Sequence, residues 1–212
     1  MKDRNTINRG RKFDQVRDGA SAVFLRDGYA AACVDDIARA ARVSKATLYS
    51  YFPDKKLMFQ DVFEAAMTSA FATAPFDIDR KGPASPGLEH TLRQLGDWLL
   101  IPVVLQLHRV ALTEAGRFPA LARSYRARRD RAVLVPLSAQ IDIWASRGDI
   151  QVSDPALLAR QIFHLFASEV QQTALLGDAE QMAPDDIATL ARSTARLVLR
   201  ACSVSDRASV NA

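Results

Sequence analysis

The chain has 212 residues, 49% of them apolar, with a formal net charge of +4 and a sequence pI near 9.3, which allows one large core or two small ones and excludes disorder outside the ends. Its longest apolar stretch, Trp98 to Leu107, is interrupted by Pro102 and Gln106 and falls short of the about 20 residues that span a bilayer, and the polar, basic start Met1 to Arg11 excludes a secretory signal and implies a cytoplasmic location. Cys33 and Cys202 match no metal or redox spacing, and His90, His108 and His164 form no helical ligand pair, so neither a disulfide framework nor a metal or other cofactor is expected.

Apolar residues recur at helical spacing and no period-two run occurs, so the chain reads as all-α. It opens on a basic arm, Lys2, Arg4, Arg9, Arg11 and Lys12 against Asp3, which is either a contact for a polyanion such as DNA or a solvated leader. The first helix is predicted from Arg11 to Asp27, with Phe13, Val16, Ala20, Val23 and Phe24 on one face, Gly28 as its stop and Gly19 as a weak point. Two short helices follow, Val34 to Ala41 and Lys45 to Tyr51, with Ser44 as the cap of the second. Asp54 caps a longer helix from Lys55 to about Ala74, whose inner stripe is predicted as Leu57, Val62, Phe63, Ala66 and Phe71. Pro75 to Gly87 reads as a loop. Beyond it, helices are predicted at Leu88 to Leu107, Arg109 to Ala115, Ala120 to Arg147, Pro155 to Leu176 and Pro184 to Cys202, several with Gly stops or an Asp-Pro start. The expected division is an arm and short-helix domain over 1–57, a larger helical domain over 58–204, and a polar tail over 205–212.

The segment Val34 to Phe52, VDDIARAARVSKATLYSYF, has the layout of a helix-turn-helix. Ile37, Ala38 and Ala41 face inward from its first helix, Val43 fills the turn, and Leu48 and Phe52 face inward from its second. The small Ala38 and Ala41 permit the close crossing a tight turn imposes. Lys45, Ala46, Thr47, Tyr49, Ser50 and Tyr51 remain outward, a short polar surface suited to base edges in a major groove. An ordinary three-helix bundle could show the same spacing. Lys55 and Lys56, at the start of the next helix, add phosphate-binding charge beside free backbone amides and favour the DNA reading.

Over roughly Phe13 to Phe63 these residues resemble the DNA-binding domain of the TetR family of transcriptional regulators. The resemblance is carried by the Phe24 to Tyr29 helix end, Asp36-Ile37-Ala38, Val43-Ser44-Lys45, Thr47-Leu48-Tyr49, Tyr51-Phe52 and Lys55. It implies major-groove contacts from Lys45, Ala46, Ser50 and Tyr51 and phosphate contacts from Thr47, Tyr49 and Lys55. Ala32, Cys33 and Val34 depart from the Thr or Ser usual there, and Arg42 replaces a frequent Gly, either under slight strain or as an added phosphate contact. The resemblance further implies a repressor that binds double-stranded operator DNA as a homodimer and is released by a small-molecule effector.

EAGRFPALARSYRARR, from Glu114 to Arg129, resembles a C-terminal domain type of one large subgroup of these regulators. The helix from Pro155 is apolar around most of its circumference, and the last helix carries one apolar stripe. In the family two such helices pair with their twofold mates, which makes Leu158, Ile162, Phe166, Leu190, Leu197 and Val198 the dimer-interface candidates; a central helix covered within the monomer is the alternative. Trp98, His108, Trp144, Phe163 and His164 are the candidates for a ligand pocket, each of which could equally be plain core. The arginine run Arg117, Arg123, Arg126, Arg128, Arg129 and Arg131 reads as a solvated helix face, with an acidic ligand or a distal DNA contact as alternatives.

No Gly-rich phosphate loop, nucleophile elbow, carboxylate pair or Cys/His cluster is present in the sequence, so an enzyme is not expected. An architectural DNA-binding protein would call for a larger net charge. An activator of the same family differs in operator placement and not in residues.

Overall fold

In the computed structural model, which describes residues 10–177 and 182–203, the helices are α1 (Arg11–Ala31), α2 (Val34–Ala40), α3 (Lys45–Tyr51), α4 (Lys55–Ala70), α5 (Ala84–Leu99), α6 (Pro102–Thr113), α7 (Pro119–Ser146), α8 (Pro155–Leu176) and α9 (Pro184–Ala201). No strand occurs among the described residues, in agreement with the all-α reading. Lys2, Arg4 and Arg9 of the basic arm and the 205–212 tail lie outside the described residues, whereas Arg11 and Lys12 are exposed in the first turn of α1.

The helices sort into two separately packed units. One runs to Ala70 and adds Gln106–Arg126; the other holds Phe71–Leu105 and the chain from Ala127 onward.

In the first unit α1 buries Phe13, Val16, Ala20, Val23 and Phe24, the face its periodicity predicts. Its helical run is broken at Gly28, whose φ of 75° and ψ of 179° favour a residue without Cβ, and a further turn carries it to Ala31. Gly19 is buried against the α2–α3 turn, so it is the close-approach point of the crossing and not simply a weak spot. Asp54 Oδ1 accepts from the Leu57 amide at 2.7 Å and caps α4 as predicted. The inner stripe of α4 is Met58, Phe59, Val62, Phe63 and Met67. Leu57 is exposed, Ala66 is half-buried and Phe71 lies past the helix end, which corrects three of the five predicted positions. The alternative stripe wins because Phe59 and Phe63 join the aromatic cluster with Phe24, Tyr29 and Phe118.

In the second unit α5, α8 and α9 pack on one another around Leu88, Leu92, Leu95, Ile162, Phe163, Phe166, Ile187 and Ala191. Two predicted boundaries are corrected. Pro86 and Gly87 belong to the first turn of α5, where a proline costs no intrahelical bond and where the absence of a Cβ on Gly87 admits the Trp144 ring, which a methyl would meet at 2.6 Å. The single helix expected over 88–107 is two, because Pro102 turns Ile101 out of helical conformation and opens α6. α8 starts as predicted, with Pro155 in its first turn and Asp154 Oδ1 accepting from Leu157 N at 2.9 Å. α7 carries Pro136 in its interior, which the sequence reading passed over.

Candidate nucleic-acid interface

The surface predicted to read DNA is built on two seven-residue helices. Neither is long enough to stand alone, so packing must hold both. Ile37 and Leu48 are fully buried and Phe52 nearly so, which anchors α2 and α3 to α1 from the dry side. The turn between them closes through Val43 N–H to the Ala38 carbonyl at 3.0 Å and Arg42 N–H to the Arg39 carbonyl at 3.1 Å. Arg42 takes a φ of 51°, a left-handed conformation that costs a residue with a Cβ about 1–2 kcal/mol. The strain reading of that position therefore has a backbone basis, and its side chain is exposed. Cys33 stands at the N-cap of α2 without a side-chain cap bond, as the departure from Ser or Thr implied.

α3 is better capped. Ser44 Oγ accepts from Thr47 N at 3.1 Å and lies 2.9 Å from Thr47 Oγ1. Ser50 Oγ donates to the Thr47 carbonyl at 2.6 Å, which leaves the oxygen lone pairs as its outward function. Lys45, Ala46, Tyr49 and Ser50 are exposed. Thr47 is half-buried, and so is Tyr51, whose ring stands edge-on to Phe13 at 5.9 Å. Lys45 is tied to Asp35 of α2 at 2.6 Å, and that hydrogen bond with the carboxylate charge raises the lysine pKa above its ordinary value. Nothing in the sequence pattern singled out Asp35, because the pairing depends on the crossing of α2 over α3 and not on a spacing within one helix.

Lys55 completes the candidate set from the first turn of α4. Its Nζ sits 4.7 Å from the centre of the Tyr29 ring, a cation–π contact. Tyr29 is itself packed edge-on against Phe59 at 5.3 Å and Phe118 at 4.8 Å and carries the Arg117 guanidinium at 5.2 Å. Tyr29 and Phe118 thus belong to the support of this surface. The sequence placed Tyr29 in the family-like motif but assigned neither residue a role.

The ligand-pocket candidates fall into different places. Trp144 and Phe163 are in the buried cluster of the second unit, the indole N–H donating to the Gly82 carbonyl at 3.3 Å. Trp98 is half-buried beside Phe71 at 5.7 Å, and His164 is exposed, edge-on to Phe163 at 5.3 Å. His108 belongs to the first unit, its Nδ1 3.1 Å from the Tyr125 hydroxyl. Of the dimer candidates, Ile162, Phe166 and Val198 are buried in the protomer's own core, Leu158 and Leu190 are half-buried, and Leu197 is exposed. Leu157, Leu165 and Leu176 are exposed apolar positions of α8. In the arginine run, Arg123, Arg126 and Arg131 are exposed, while Arg129 is largely covered, bonds Asp130 at 2.7 Å and lies over the Phe163 ring at 5.1 Å. The solvated-face reading therefore does not extend to Arg129. Among the described residues no cluster of His, Cys, Asp and Glu is placed to hold a metal ion, and no single helix is long and apolar enough to cross a membrane.

Residues 16–62 match the family model described as bacterial regulatory proteins, tetR family, and residues 86–203 match the C-terminal domain of AefR-like transcriptional repressors. The chain is 25% identical over 170 residues to the HTH-type transcriptional regulator YhgD of Bacillus subtilis, covering 80% of this chain and 84% of that one. Its fold is similar to a TetR-family transcriptional regulator from Mesorhizobium loti, at a TM-score of 0.69 and 25% identity over 92% of this chain and 98% of that one. It is also similar to the flavonoid-responsive regulator FrrA, at a TM-score of 0.64 and 29% identity over 92% of this chain and 99% of that one. The two family models together span both the short-helix reading unit and most of the helices beyond it, and the chain belongs to the TetR family of transcriptional regulators.

Proposed function

We propose that this regulator is a cytoplasmic repressor that binds double-stranded operator DNA as a homodimer and leaves it when a small molecule binds. The observation that carries the reading is the two-sidedness of α3: Leu48 is fully buried while Lys45, Ala46, Tyr49 and Ser50 stand out to solvent on a helix short enough to enter a major groove. Lys45, Ala46, Ser50 and Tyr51 are the proposed base-edge contacts, and Thr47, Tyr49 and Lys55 the proposed phosphate contacts. Residues 1–57 hold the reading function and 58–204 the effector and dimer functions, by equilibrium binding and without catalysis.

Dimerisation follows from the need for two reading heads on half-sites about 34–36 Å apart. The exposed leucines Leu165 and Leu197 are suited to an intermolecular face on α8 and α9, whereas Ile162, Phe166 and Val198 support that face from inside. The effector-pocket candidates are Trp98, Trp144, Phe163 and His164, with His108 a separate one. The likeness to a flavonoid-responsive regulator makes flavonoids the first ligand class to test.

Release is a population shift: an effector that favours a conformer with mis-spaced heads lowers operator affinity, and one that binds both conformers equally does nothing. The test is a titration of DNA from the promoter of the regulator's own gene, with random DNA of equal length as the control. Binding to the promoter fragment alone supports the reading; equal affinity for both, with a steep salt dependence, rejects sequence-specific regulation.

A further inference from the structure

The break in α1 is filled by the side chains of Arg109 in α6 and of Glu114, which follows the last residue of that helix. In an unbroken α-helix the Tyr29 and Ala30 amides would donate to the Leu25 and Arg26 carbonyls. Gly28, at φ 75° and ψ 179°, separates these two pairs and leaves two donors and two acceptors at the break. Glu114 Oε1 accepts from Tyr29 N at 2.9 Å and from Ala30 N at 3.3 Å. Arg109 Nη2 donates to the Leu25 carbonyl at 2.6 Å and to the Arg26 carbonyl at 2.7 Å. A carboxylate thus meets the orphaned donors and a guanidinium the orphaned acceptors, each with the charge that its end of a helix favours. The Gly28 position is fitted to this arrangement as well, since a Cβ there would meet Glu114 Oε1 at 3.2 Å.

The splice is joined to the candidate interface through one residue. Tyr29 gives its amide to Glu114 and its ring to Lys55 Nζ. Fixing the amide fixes where the ring lies, and the ring fixes where the ammonium rests in the first turn of α4. We propose that Arg109 and Glu114 are positioning residues for DNA binding: they splice the broken α1 helix and, through Tyr29, hold Lys55 ready for a phosphate. The proposal rests on the reading of Lys55 as a phosphate contact.

The experiment measures operator affinity of the full chain over a salt series for wild type, Glu114→Ala, Lys55→Ala and the double variant, with hydrogen exchange of the Tyr29 and Ala30 amides. Glu114→Ala is expected to weaken binding on the order of tenfold, the size of one charge-assisted hydrogen bond. It should lower the salt slope by about 0.9, the share of one phosphate contact. The double variant should bind no more weakly than Lys55→Ala, and the two amides should exchange faster. Glu114→Gln, which keeps an oxygen acceptor, should retain most of the affinity. A folded Glu114→Ala with wild-type affinity and slope, beside a weakened Lys55→Ala, overturns the positioning role and leaves the interface reading intact. Wild-type binding by Lys55→Ala overturns that reading and the proposal with it. Should Glu114→Ala fail to fold, Arg109→Met carries the test: it keeps an aliphatic stem but supplies no donor to the Leu25 and Arg26 carbonyls, and full affinity and slope in that variant overturns the proposal.

Discussion

Gly19 of α1 lies against Ala41 of the α2–α3 turn so closely that a methyl on Gly19 would fall 2.6 Å from the Ala41 Cα and Cβ atoms. The neighbour is backbone and cannot swing aside, and Gln15 Nε2, one turn earlier, donates to the Ala41 carbonyl at 2.7 Å and fastens the same spot. Gly19→Ala gains about 1 kcal/mol of helix propensity but overpacks the crossing at a cost of about 1–3 kcal/mol. The expected net result is a lower melting temperature and weaker operator binding. A melting temperature at or above wild type would show that the crossing parts freely.

Lys55→Ala and Tyr49→Ala are expected to weaken binding to operator and random DNA alike, with Lys55→Ala lowering the salt slope by about 0.9. Substitutions at Lys45 or Ser50 should instead change which bases are preferred. Parallel losses on both DNAs for all four residues would contradict the division between phosphate and base-edge contacts.

Asp35 shares the Lys45 ammonium at 2.6 Å and puts a negative charge on the face proposed to meet DNA. Asp35→Asn is expected to strengthen binding to any duplex and to steepen its salt dependence by about one ion. The pair raises the Lys45 pKa, so its contribution to the fold is present below the ordinary lysine value of 10.5 and disappears as pH rises through the higher folded value. Unchanged affinity and slope in Asp35→Asn would show that the carboxylate does not restrain the lysine.

Asp79, in the stretch before α5, accepts at Oδ1 from the Gly82 amide at 2.8 Å and the Lys81 amide at 2.9 Å, which lowers its pKa below the ordinary 3.8. The charged form is the one these amides stabilise. Their contribution is therefore complete above pH 3.8 and is lost as pH falls through the lowered folded value. Asp79→Ala should melt below wild type at pH 7, with the difference closing in acid below that range. A difference that persists unchanged in acid would assign the effect to packing.

Leu165 of α8 and Leu197 of α9 are 50% and 60% exposed, which separates them from the half-buried Leu158, Leu190 and Leu199 of the same helices. The double variant Leu165→Asp/Leu197→Asp is expected to sediment as a monomer, keep its helical circular dichroism and lose operator binding by 10-fold or more, on the order of the avidity one linked head supplies. A dimer of wild-type strength would place the contact elsewhere.

Periodicity and caps were enough to read the helices of this protein, its two-sided α3, and Ser44, Asp54 and Asp154 as starts, because each of those signals lies within one turn of the residue it governs. Residue spacing also carried the family likeness, since the helix-turn-helix is a contiguous segment. The course of the chain at Ile101 and Pro102 was readable in principle from the proline and was missed because the apolar run continued through it. Partners far apart in the chain were not readable: Lys45 with Asp35, Tyr29 with Lys55 and Phe118, and Glu114 with the amides beyond Gly28. The choice between Leu57 and Met58 as the inward face of α4 belongs to the same class, since both fit a helical stripe and only packing against the rings of α1 and the α6–α7 turn discriminates them. A local pattern says that a side chain is buried or exposed on its own helix; which distant group it meets depends on how helices cross, and that is settled by the packing of the whole unit.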